Sequence, residues 1–183
     1  MGYRSDVAYV IVFPNAAQYH MFLTTARTLS NQPIVNDEIV SINGQMVWGD
    51  MVRALDETTH GVDIYKNKYL SIDNTFFSFP AIAFKAQSVK WYESYEDVHN
   101  HESLVSLAYL FSMGELTEYT VGTATTASMN PCAYDFLRVG EDDNDIERRS
   151  EGRHVAVTSP PMTVHRQISF DEPMRNIFGE EDI

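Results

Sequence analysis

Asp6-Val7-Ala8-Tyr9-Val10-Ile11-Val12-Phe13 decides how the rest of the chain is read. After Asp6 the run is apolar or aromatic and rich in β-branched residues. An alternating pattern would mark a strand with one wet face; this run reads as a central strand covered on both faces. Pro14 ends it, and Asn15 is a good helix N-cap. Tyr19, Phe22, Leu23, Ala26 and Leu29 then recur at helical spacing, which predicts an amphipathic helix over Ala16 to Leu29. Asn31-Gln32-Pro33 stops it.

Outward from this unit the signals vary in length. Ile39-Val40-Ser41-Ile42 reads as a short strand, and Asn43-Gly44 could turn it into a hairpin with Gln45-Met46-Val47-Trp48. Asp50 to Thr58 suits a short helix, capped by Asp50 with Met51 and Leu55 inward. Val62 to Tyr65 and Tyr69 to Ile72 suit strands. Pro80 marks an edge, a bulge or a strand boundary, because it cannot donate to a ladder; a strand is expected from Ala83 to Trp91. A helix starting at Ser94 or Tyr95 has Glu96 and Asp97 in its first turn, where carboxylates oppose the helix dipole. Val98, His101, Leu104, Val105, Ala108 and Phe111 form its inward stripe, and Gly114 is its stop. Further strands are expected at Tyr119 to Ala124, from Cys132 to Val139, at His154 to Val157 and at Val164 to Phe170.

Strands and helices in this order give an α+β fold: a two-layer sandwich with a mixed or antiparallel sheet and two main helices. A ferredoxin-like core with insertions is the specific expectation. Residues 1–170 form one domain, followed by a loosely held acidic tail over residues 171–183. No internal repeat interrupts this reading.

The 183 residues carry 26 acids against 13 Lys and Arg, for a net charge of −13. Such a chain repels phosphate, so direct nucleic-acid binding is disfavoured. Arg148, Arg149 and Arg153 alternate with Glu147 and Glu151, which reads as mixed solvated charge ahead of a phosphate site. Cys132 is the single cysteine, so no intrachain disulfide can form, and a reducing cytosol is the expected setting. No apolar run approaches the ~18 residues of a membrane span, and the first residues lack the apolar core of a signal peptide.

Motifs for chemistry are sparse. His99 and His101 stand two apart, about 200° round a helix, and cannot share an ion there. Glu141, Asp142, Asp143, Asp145 and Glu147 follow the strand-ending Val139-Gly140. Alternating oxygen donors suit calcium, but an EF-hand loop started at Glu141 has Ile146 where glycine is required and Gly152 where glutamate is required. Cys132 has no nucleophile signature, and phosphate-cradling glycine motifs and a serine elbow are lacking. No catalytic residue, metal or cofactor is assigned, which argues against an enzyme. Lys90-Trp91-Tyr92-Glu93-Ser94-Tyr95 packs aromatics into a strand-to-helix turn. Trp91 and Tyr92 are candidate interface anchors; the competing reading is that Trp91 and Tyr95 plug the helix onto the sheet.

Three segments carry a resemblance: Met1-Gly2-Tyr3-Arg4-Ser5-Asp6-Val7, Val89 to Val98, and Tyr134 to Glu147. In that order they resemble small uncharacterised proteins of tailed bacteriophages that begin MGYRSDV. The segments around Ile34 to Ile72, Gly114 to Asn130 and after Gly152 are additional to the shorter members. The resemblance implies viral origin and a place in the host cytoplasm, and it transfers no activity. The resulting expectation is a phage accessory protein that binds a host or phage protein with a basic surface, such as a nucleic-acid-processing or defence protein. Glu141, Asp142, Asp143, Asp145, Glu147, Trp91 and Tyr92 are its expected contacts. A structural or assembly component, and a metal-dependent hydrolase using carboxylates with His99, His101 or His154, are the alternatives.

Overall fold

The computed structural model describes residues 4–34, 46–60, 80–113, 132–142, 145–152, 162–164 and 168–170. Within them β1 (Ser5–Val12) lies inside a four-stranded sheet of order β2-β1-β3-β4, formed with β2 (Ala81–Val89), β3 (Ala133–Gly140) and β4 (Ile146–Glu151). Every neighbouring pair in this sheet is antiparallel. The α+β two-layer architecture is therefore present, and the antiparallel of the two expected sheet types is the one formed. The strand order does not establish a ferredoxin-like core.

Side chains alternate across a strand, and in β1 both sets are buried. Val7, Tyr9 and Ile11 join the main core with Ile82, Phe84 and Phe136. Ala8 packs with Leu137 on the opposite face, where Val10 and Val12 are also buried. This is why the run shows no polar alternation. The opposite face is built from small residues, Ala8, Ala81 and Ala83 among them, which allows another layer to approach closely. β5 (Met162–Val164) and β6 (Ile168–Phe170) form an antiparallel hairpin next to β3 and β1, respectively. The single strand expected over Val164 to Phe170 is thus two: Val164 pairs back onto Ile168, so the chain reverses between them.

Helices cover the first face. α1 (Ala16–Leu29) starts where Asn15 Oδ1 accepts from the Gln18 N–H at 3.0 Å, and it buries Phe22, Ala26 and Leu29. α2 (Met51–His60) starts with Asp50 Oδ1 accepting from Arg53 N at 3.1 Å, with Met51 and Leu55 inward. α3 (Glu96–Met113) buries all six residues of its expected stripe. It also buries His99, Asn100 and Ser103, because the turn before α2 sits on a second of its faces. His99 Nε2 lies 2.8 Å from the Val47 carbonyl, Asn100 Oδ1 accepts from Asp50 N, and Ser103 Oγ accepts from Gly49 N. Gly49 is needed there: a Cβ would fall 2.8 Å from Asn100 Cα.

β2 begins at Ala81, directly after Pro80, whose carbonyl accepts from Phe13 N. At its far end the register with β1 shifts near Ser88, which has φ 53°. Asp6 Oδ1 and the Arg4 guanidinium hold that kink by bonding Ser88 N and O. The strands expected at Ile39 to Ile42, Val62 to Tyr65, Tyr69 to Ile72, Tyr119 to Ala124 and His154 to Val157 lie outside the described residues, as do the Asn43-Gly44 turn, Gly114 and residues 171–183.

Candidate protein-binding surface

β3 and β4 form a hairpin whose connection carries the acids. Gly140 N–H donates to the Asp145 carbonyl at 2.7 Å, and Asp145 N–H donates to that of Asp142 at 2.9 Å. Glu141 Oε1 accepts from Arg4 N at 3.1 Å, tying the connection to the start of β1. Glu141 and Asp142 are exposed; Asp143 lies outside the described residues.

The other two acids are held by cations. Arg138 bonds both Asp145 oxygens through Nη1 and Nη2, at 3.0 and 2.9 Å, and Glu147 Oε2 through Nε at 3.1 Å. Such a fork-to-fork pairing is the strong form of the arginine–carboxylate contact. Burial alone would lower the Arg138 pKa; bonds to Asp145 and Glu147 outweigh it and push the value up. Glu147 Oε1 also lies 3.1 Å from Arg149 Nε, close enough for an ion pair. That N–H is not aimed to make a hydrogen bond. Arg149 stacks over the Phe136 ring at 4.0 Å and donates to Glu102 Oε2 at 2.7 Å. On the opposite face Arg148 bonds the buried Asp135.

Glu102 is shared, since its Oε1 accepts from Trp91 Nε1 at 2.9 Å. Trp91 is half-buried, with its ring near Phe84, His101 and Phe136. It plugs α3 onto the sheet while standing one carboxylate away from Arg149. Tyr92 is half-buried and makes an edge contact with Tyr95, which is exposed. The structure therefore places Glu141 and Asp142 outward at the turn, Asp145 and Glu147 in arginine pairs beside it, Trp91 behind them, and Tyr92 with Tyr95.

A second polar cluster escaped the sequence reading. Tyr9 OH lies 2.8 Å from His101 Nδ1, and His101 Nε2 lies 2.7 Å from Glu57 Oε2. All three residues are buried. Arg53 continues the line, 3.5 Å from Glu57 Oε1 and 2.7 Å from Asp97. The available signals were His101, a titratable residue in the inward stripe of α3, and Glu57, an acid three positions after Ala54, which α2 buries. His99 and His101 do point to different partners, Val47 and Glu57. Among the described residues no three metal-binding side chains gather in one place. Cys132 is buried with its thiol pKa pushed far up by desolvation, and Sγ donates to the Ala108 carbonyl. A thiol in that state is a poor nucleophile.

Among the described residues no helix is long and apolar enough to cross a membrane. No family model, curated protein sequence or solved structure matches the chain.

Proposed function

We propose that the chain is a protein-binding module, an accessory protein of a tailed bacteriophage acting in the host cytoplasm. It docks on a basic surface of a host or phage protein through the charged end of the β3–β4 hairpin. One observation carries the reading: Glu141 and Asp142 are exposed on a turn tied down from both sides, to Asp145 and to Arg4. A fixed, exposed pair of carboxylates on a chain of net charge −13 attracts a basic partner and orients it during encounter. Asp145 and Glu147 set the field around the turn, but their pairing with Arg138 removes much of their own attraction. Glu141 and Asp142 are thus the leading contacts, and Asp143, next in the sequence, is proposed with them.

The test is retention of host proteins by the immobilised chain at low ionic strength, followed by mass spectrometry. A defined basic protein is expected to be retained, and the Glu141→Gln, Asp142→Asn double variant is expected to release it. Retention of nothing, or retention indifferent to the double variant, removes the proposal.

A further inference from the structure

Arg4, the residue before β1, bridges two other parts of the sheet. Ser5 pairs with Val89 on one side and with Gly140 on the other, so Arg4 stands between the end of β2 and the acidic turn. Its main-chain N–H donates to Glu141 Oε1 at 3.1 Å, and its Nη1 donates to the Ser88 carbonyl at 2.7 Å. The second bond depends on a bulge in β2. Two steps along β1, from Ser5 to Val7, face three along β2, from Val89 to Ala86, and an extra residue of this kind drops out of the ladder. Ser88, with φ 53°, is in the left-handed region that a serine rarely adopts. Asp6 Oδ1 accepts from its N–H at 2.7 Å while Arg4 takes its carbonyl.

Charge does not explain this placement, because a cation beside Glu141 and Asp142 weakens their pull on a basic partner. Orientation does explain it. A carboxylate on a flexible side chain must be ordered before it can hold a cation, and that ordering reduces affinity whenever it happens during binding. Here it is done in advance. The guanidinium fixes residue 4 on the β2 bulge, and the N–H of residue 4 fixes the Glu141 side chain.

We infer that Arg4 is a positioning residue of the docking turn. It acts through Glu141, presenting that carboxylate in one orientation with Oε2 left for a Lys or Arg of the partner, and its own charge is a smaller, opposing effect. This rests on the protein-binding reading above and specifies what sets the geometry of the contact.

The probe is a capped, alanine-based helical peptide with lysines at positions i and i+4, titrated by fluorescence anisotropy at low salt onto the full chain and its variants. The two effects of Arg4 differ in sign. Removing a cation through its field alone tightens binding; removing the positioning contact weakens it. Arg4→Ala is expected to bind the peptide about two- to tenfold more weakly. Arg4→Lys, which keeps a donor for the Ser88 carbonyl, should regain most of that loss. In NMR spectra of the parent the amide proton of residue 4 should shift as Glu141 is titrated, and the shift should shrink in Arg4→Ala. Equal or tighter binding by Arg4→Ala, or an amide proton indifferent to Glu141 in the parent, overturns the inference. If the Glu141→Gln, Asp142→Asn double variant still abolishes binding in that case, the turn reading survives without Arg4. If the parent does not bind the peptide, or the double variant binds it equally well, the Arg4 inference fails, and retention of a basic protein decides the turn reading separately.

Discussion

The molecule contains two chains of polar side chains that look alike on paper and differ in their surroundings. One runs Tyr9–His101–Glu57–Arg53–Asp97 through the interface of sheet, α3 and α2. The other runs Arg138–Glu147–Arg149–Glu102–Trp91 across the β3–β4 hairpin to α3. The His101 and Glu57 side chains are 1% and 4% exposed, those of Arg138 and Glu147 20% and 41%. Effective dielectric separates them. In the first, Tyr9, His101 and Glu57 have lost their water, so a missing partner among these three leaves a charge or a donor stranded, while Arg53 and Asp97 carry the line out to solvent. In the second, water and salt can replace any partner that leaves. The first line therefore holds the helical layer in one arrangement on the sheet, while the second adjusts how much negative charge the hairpin shows.

The largest effect is expected where the buried line is cut. His101→Ala leaves the Glu57 carboxylate without its imidazole in a dry site and should cost about 3–5 kcal/mol in denaturant unfolding. Tyr9→Phe removes a neutral hydroxyl and strands one ring nitrogen, for a smaller loss of about 1–3 kcal/mol. If His101→Ala costs less than Tyr9→Phe, the line does not act as a buried hydrogen-bonded system and the contrast collapses.

An intermediate effect is expected beside the hairpin, at a residue of neither line. Tyr134, on β3 and paired with Glu151 across the ladder, has its pKa raised from 10.0 to about 12. Burial is the main cause; the charge of Glu151 adds to it and that of Arg149 opposes it. The folded state thus holds the phenolic proton more tightly than the unfolded chain does. This contribution is complete below pH 10 and is lost as pH rises through about 12, up to about 2–3 kcal/mol. Unfolding free energy followed into the alkaline range should fall faster for the parent than for Tyr134→Phe. Parallel profiles would mean that the phenol is as well hydrated as the hairpin's own charges.

The division also explains what could be read before folding. β1 and α1 were legible because local rules govern them: an unbroken apolar run, then Asn15 and a 3.6-residue stripe. β4 was not, because Ile146-Glu147-Arg148-Arg149-Ser150-Glu151 has no apolar alternation. An edge strand needs only main-chain pairing with β3, and its alternation is one of charge. The end of a sheet at Gly140 with acids beyond it was legible. Which acids Arg138 holds was not, since those pairs depend on cross-strand register. The inward stripe of α3 was legible, but the burial of His99, Asn100 and Ser103 depends on the turn at Gly49, which approaches from another part of the chain.

The smallest stability effect, and the sharpest test of the contrast, belongs to Arg138. Arg138→Gln breaks the bonds to Asp145 and Glu147, yet both carboxylates remain within reach of water. The expected cost is about 1 kcal/mol or less. At 1 M salt, where the screening length is about 3 Å, the difference from the parent should shrink further. Binding should move the other way. Losing the guanidinium removes one positive charge from beside Glu141 and Asp142, so a basic peptide should bind the variant more tightly at low salt while the fold becomes slightly less stable. A buried pair cannot behave like this, because its disruption costs the fold far more than any exposed charge adds to encounter. If Arg138→Gln instead destabilises the chain as much as His101→Ala and weakens peptide binding, the hairpin's ion pairs are structural in the same sense as the buried line, and the separation between the two regions fails.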